Sequence, residues 1–218
     1  MSTARNTARF GWLTLIGIIG FEAVGQAALV GQPIAGSANR TVIESYLSHQ
    51  ALLPLGLGTM VLILPFVVFA TGLRDILASR PAVALWANAG LGFALVAAAL
   101  LLVRSALEMA AVRGLTAGSD ILPTFFAWDF TYNAAVYAME AGYVIAFSTA
   151  VIAGFAPPRW FMAVACLAAG LQVVNLASLV TGLPVAVTVP GNIVFAVWFG
   201  TMARLAGRSF GSTEGARA

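Results

Sequence analysis

No lysine occurs anywhere in the 218 residues; all 11 basic side chains are arginine. Schiff-base chemistry on a lysine, retinal attachment included, is therefore excluded. There is one histidine, His49, and one cysteine, Cys166. A single histidine cannot build a multi-histidine zinc site or supply both axial ligands of a haem. A single cysteine cannot close an internal disulfide, and its setting in an apolar run reads as a small core hydrophobe. Charge of either sign is scarce: 9% of residues are charged, against about 25% in an average soluble domain. The arginines are dispersed rather than gathered into a patch, so a pI of 9.6 does not argue for nucleic acid as a partner. No serine-nucleophile motif or metal-ligand cluster is present either, and no cofactor is expected.

What the chain has in excess is apolar sequence, 61% of its residues. Six segments reach the ~20 residues that a membrane span needs. They cover 11–31, 50–72, 83–107, 126–155, 160–181 and 186–206. The fold class that follows is all-α: a polytopic membrane protein of six transmembrane helices in one domain, 11–206. A short N-terminal tail, 1–10, precedes it, and a polar tail, 207–218, follows and reads as disordered. The basic start resembles a signal peptide. No small-x-small cleavage site ends its apolar part before Gly31, so it reads as a retained first span. Pro65 is expected to kink the second span, and Pro81 suits the first turn of the third. The stretches 73–82 and 114–123 read as turns. Within 32–49, Val42, Ile43, Tyr46 and Leu47 share a face and suggest a short interfacial helix. Trp160 suits an interfacial anchor.

Six spans put both termini on one side. That side then carries Arg5, Arg9, Arg74, Arg80, Arg159, Arg204, Arg208 and Arg217, whereas the other carries Arg40 and Arg113. The positive-inside rule places both termini in the cytoplasm of a multi-pass plasma-membrane protein.

The acidic and amide residues inside the spans are the candidates for function. An Asp at the centre of a span costs roughly 2.5 kcal/mol or more to insert, so such groups face inward, pair or protonate. Glu22 and Glu140 fall near the midplane. Gln26, Arg104, Glu108, Asp129, Asn133, Gln172, Asn175 and Asn192 fall in the outer half, and the inner half is nearly all apolar. On a regular helix Asp129, Asn133, Tyr137 and Glu140 lie at about 0°, 40°, 80° and 20° and so share a face. Ala134, Ala138, Gly142, Ala146, Ala150 and Gly154 form a row of small residues on which another helix can pack closely. Arg104 and Glu108, four apart, can pair.

These groups suggest an outward-facing polar cavity floored by Glu22 and Glu140. Its candidate ligand-binding residues are Glu22, Gln26, Arg104, Glu108, Asp129, Asn133, Tyr137 and Glu140. Three functions fit. One is a protein that binds or carries a small molecule or a membrane lipid. Another is an isomerase-like intramembrane enzyme with Glu22 and Glu140 as its catalytic acid and base. The last is an accessory subunit, in a homo-oligomer or larger membrane complex, docked through the small-residue row. Arg104 and Glu108 closing the third span, Pro158-Arg159-Trp160 opening the fifth and the run NIVFAVWFGTMARLAG in the sixth carry a resemblance. They resemble a family of uncharacterised six-helix bacterial integral membrane proteins classed as a domain of unknown function. The resemblance implies the six-helix fold over most of the chain and no particular activity.

Overall fold

The computed structural model describes residues 3–28, 43–44, 48, 52–155, 157–181 and 188–208; side chains at 20–28, 52–60, 129, 132–133, 178–181, 188–189 and 208 lie outside that description. Every regular element among the described residues is helical. In chain order these are α1 (Thr3–Ala28), α2 (Leu52–Ala78), a single 3-10 turn (Pro81–Val83) and α3 (Ala84–Thr116). Then come α4 (Leu122–Phe130), a π-helical segment (Thr131–Val136), α5 (Tyr137–Phe155), α6 (Arg159–Thr181) and α7 (Thr188–Arg208). Four stretches are long and apolar enough to cross a membrane: Val61–Ala78, Pro81–Thr116, Ala134–Phe155 and Arg159–Ala177.

The long helices close into a ring. α1 packs on α2, α2 on α3, α3 on α5, α5 on α6, α6 on α7, and α7 returns to α1. At one end of the ring the backbones come close because small residues line the seams. A Cβ on Gly11 would lie 2.7 Å from both the Ala203 methyl and the Phe69 ring, and one on Gly90 would lie 2.7 Å from the Phe147 ring. Ala87, Ala203 and Ala206 are fully buried beside them, as are Phe161 and Phe199. Trp198 is fixed here by a 2.9 Å hydrogen bond from its Nε1 to Ser148 Oγ. At the rim, the Arg80 guanidinium lies 3.9 Å from the Phe155 ring centroid. This is packing of the kind that holds helices together where burial from water does not drive association.

Several expectations are corrected. Residues 3–10 are the first turns of α1 rather than a tail. α2 runs to Ala78, so most of the turn expected at 73–82 is helix; Leu73 and Leu77 are buried in the core, and Arg74 is held by Asp75 (2.9 Å) and Asn88 (2.8 Å). α3 continues through Arg104, Glu108 and Arg113 to Thr116, and Ala117–Ile121 alone separate it from α4. Charged residues read as helix ends, but each finds a partner or a polar surface without breaking the backbone ladder. Cys166 is exposed on α6, not buried. The small-residue row is used inside the chain: Ala146 and Ala150 are buried, Gly142 meets Phe93 of α3, and Gly154 meets Val83. Ile43 is fully buried against Ala111, Val112, Ile121, Phe125 and Trp128. Val42, Tyr46, Leu47, His49 and the tail from 209 onward lie outside the described residues.

The largest departure lies between α4 and α5. A π segment takes one residue more per turn than an α-helix. It therefore sets everything beyond it back by about 100°, one residue's rotation. Tyr137 and Glu140, which follow the segment, are thus rotated from the positions a uniform helix gives them, and the side chains of Asp129 and Asn133 lie outside the described residues.

Candidate functional site

At the other end of the ring the helices stand off from one another around a cavity of about 110 Å³. α1 contributes Thr14 and Ile18; α2 contributes Leu62, Ile63 and Phe66. α3 supplies Ala97, Leu101 and Arg104, the π segment Val136, α5 Tyr137, Glu140 and Tyr143, and α7 Asn192 and Phe195. Both backbone irregularities sit at this level. Pro65 of α2 lies between Ile63 and Phe66, where its ring removes one backbone donor. The π segment delivers Val136 and turns Tyr137 and Glu140 inward. π segments recur at functional sites because they re-aim side chains that a regular helix would point elsewhere.

The wall is mostly apolar, and its polar groups are held in place. Gln172 Nε2 donates to Glu140 Oε2 at 3.0 Å, and Asn175 Nδ2 donates to Gln172 Oε1 at 3.0 Å. Gln172 and Asn175 are fully buried and one turn apart on α6. The relay ends against α7 at Gly191, where a Cβ would approach Asn175 Nδ2 to 2.7 Å. One chain of hydrogen bonds thus ties the half-buried Glu140 to α6, whose Asn175 in turn lies against Gly191 of α7. Each group in this chain is held by the next, which orients the carboxylate. The Thr14 hydroxyl donates back to the Phe10 carbonyl at 2.8 Å, which leaves its lone pairs to the cavity.

Arg104 approaches from α3. It is 6% exposed, as is Glu108 one turn along, and the two attract each other across that turn. The Arg104 guanidinium also lies 5.8 Å from the Trp128 ring centroid. Trp128, 1% exposed, packs at 5.2 Å on Phe125 in the small cluster beneath α4.

Of the residues singled out from sequence, Arg104, Tyr137 and Glu140 meet around the cavity, and Glu108 lies one turn beyond Arg104. The side chains of Glu22, Gln26, Asp129 and Asn133 lie outside the described residues, so the Glu22–Glu140 separation on which an acid–base pair depends is not defined. Tyr143, Phe66, Phe195, Thr14 and the Gln172–Asn175 relay were not among the expected ligand-binding residues. Gln172 and Asn175 had a signal, two amides at i and i+3 in an apolar run. The aromatics had none, since bulky apolar residues fill every span. Among the described residues no three of His, Cys, Asp or Glu gather to hold a metal ion. No family model, curated protein or solved structure matches the chain.

Proposed function

We propose that the chain is a six-span integral membrane protein that binds a small molecule or lipid part in the cavity around Glu140. The observation that carries this reading is the carboxyl of Glu140 opening on a mostly apolar cavity while a buried two-amide relay holds it from behind. Helix packing alone needs no such arrangement, since an apolar side chain at 140 would fill the space without three buried polar groups.

Support for six spans comes from the outward face of every long helix. Ile16 and Ile19 of α1, Leu85 of α3 and Ile193 and Val197 of α7 are more than half exposed. Leu64 of α2 and Leu167 of α6 are exposed as well. Large apolar side chains pointing away from the core on all sides fit a hydrocarbon solvent. Support for both termini on one side comes from the tight end, where Gly207 lies against Ala8 and Gly11 against Ala203. The arginine bias makes that side the cytoplasm, and the plasma membrane is the membrane proposed. The cavity then lies toward the outer leaflet.

The experiment is mass spectrometry of small molecules and lipids extracted from the purified protein. A species present in stoichiometric amount with the wild type and lost from Glu140→Gln, at unchanged folded yield, is the expected result. Equal loss of yield and of bound species would make Glu140 a structural residue and sink the proposal.

A further inference from the structure

Resting on the reading of the chain as a membrane protein with both ends in the cytoplasm, we infer that one flank of the α1–α7 seam holds an anionic phospholipid of the inner leaflet. The two helices run antiparallel there, with Gly207 against Ala8, Gly11 against Ala203 and Gly200 against Leu15. Trp12 leans over the same seam. Its ring lies 3.7 Å from where a Cβ on Gly200 would stand, yet it remains exposed. At about 100° per residue, Arg5, Arg9, Trp12 and Ile16 fall within about 60° of one another on α1. Arg204, Val197 and Ile193 fall within about 40° on α7. Each row is displaced from its helix's seam residues in the same rotational sense. Antiparallel helices turn in opposite senses when viewed down one axis, so the two rows open on one flank. All three arginines are exposed there, and Ile16, Ile193 and Val197 are each more than half exposed.

This flank is graded along the helices. The arginines come first, Trp12 next, and bare aliphatic side chains beyond it. Its positive charge is also uncompensated. α1 has no Asp or Glu before Glu22, and α7 has none. Among the described residues, Arg5, Arg9 and Arg204 have no acidic partner. The other arginines at this end differ. Arg74 is held by Asp75 and Asn88, Arg80 lies on the Phe155 ring, and Arg159 is the only arginine of α6.

The positive-inside rule asks only that basic residues lie on one side of the membrane, not that they share a flank. Three arginines above an indole and an aliphatic strip match the outline of one phospholipid. Guanidinium groups engage phosphate oxygens in pairs, and an indole suits the headgroup level. The aliphatic strip receives the acyl chains. Basic clusters beside membrane helices on the cytoplasmic side select anionic heads. A zwitterionic lipid offers the same phosphate but brings its own cation among the arginines. A glycerol head brings none, so the phosphatidylglycerol class fits best.

The test is native mass spectrometry of the purified full-length protein, released from micelles doped with equal amounts of phosphatidylglycerol and phosphatidylcholine of matched acyl chains. One phosphatidylglycerol per chain is expected, retained at least about tenfold over phosphatidylcholine, since each arginine near the surface is worth about fivefold. The triple variant Arg5→Gln, Arg9→Gln, Arg204→Gln is expected to lose the preference at unchanged folded yield. Arg9→Gln alone should lower it by about fivefold, and Arg159→Gln by less than about twofold. Arg9→Lys, which keeps the charge but loses the paired donors, should fall between wild type and Arg9→Gln. Equal retention of the two lipids by the wild type would overturn the inference. Equal losses from Arg9→Gln and Arg159→Gln would do so too, by reducing the preference to the general charge of the rim. Either result in a protein that stays in carbonate-washed membranes leaves the membrane reading standing. Release of the protein by carbonate would remove that reading and the inference together.

Discussion

The two ends of the helix ring solve opposite problems. At the end where Gly207 meets Ala8, glycine and alanine line the helix seams, and aromatic rings drop into the spaces they leave. Phe69 meets Phe199 at 4.8 Å between centroids, and Phe147 lies on Gly90. At the other end the crossing positions carry Phe66, Tyr137, Tyr143 and Phe195, and these hold the helices apart around a void. The same residue class, the aromatics, fills space at one end and encloses it at the other. Part of the difference lies in the small residues of the first end, where Gly11 stands against Phe69 and Gly90 against Phe147. Stability should therefore reside mainly at the first end, and selectivity at the second.

The comparison breaks most readily at Trp198, 1% exposed and bonded to Ser148. Trp198→Ala removes a large buried side chain and orphans the serine hydroxyl, with an expected loss of about 3–5 kcal/mol of stability, read from denaturant-induced unfolding in micelles. Gly90→Val comes next. Its side chain must displace the Phe147 ring, which overpacking of this kind makes costly by about 1–3 kcal/mol. If Gly90→Val were as stable as the wild type, the tight end would not be the structural end.

Much of this division can be traced in the amino-acid sequence, and the untraceable part has physical causes. Apolar runs located all six long helices, because hydropathy is a property of composition. Their ends were misplaced at Arg74, Arg104 and Glu108, because a charge looks like an exit to water until its partner is known. Arg74 finds Asn88, fourteen residues away, and Arg104 lies by Trp128 on another helix. The π segment at 131–136 left no mark, since Thr-Tyr-Asn-Ala-Ala-Val is unremarkable in either hydrogen-bond register. Glu140 was legible as a costly intramembrane acid; its bond to Gln172, 32 residues on, was not, because only the packing of α5 on α6 creates it. Cys166 was assigned to the core because an all-round apolar helix does not announce its inward face.

The relay at the second end sharpens the comparison through coupling rather than bulk. Gln172→Ala should destabilise by about 1–3 kcal/mol, since it strips a donor from Glu140 and an acceptor from Asn175. In a double-mutant cycle with Glu140→Gln the two changes should be non-additive by about 0.5–3 kcal/mol. Additive effects would mean that the 3.0 Å bond does not tie α5 to α6 energetically. Gly191→Ala probes the far end of the same relay. Its methyl would push the Asn175 amide aside, so a milder loss of about 1 kcal/mol is expected, together with weaker ligand retention.

The smallest effect on stability is expected where a volume increase meets empty space. Ala97 lines the cavity from α3 and is 2% exposed. Ala97→Val adds two methyl groups on the side where about 110 Å³ stands open. At Gly90 a similar addition collides with a ring; here it meets no packed neighbour across the cavity, so stability should move by less than about 1 kcal/mol. Binding should respond in the opposite sense, because the same methyls occupy part of the room a guest needs. The informative measurement is therefore the ratio of the two changes, not either alone. A variant that unfolds readily would show the cavity wall to be as tightly determined as the other end. A variant that keeps both its stability and its full complement of bound molecule would show that the guest lies elsewhere.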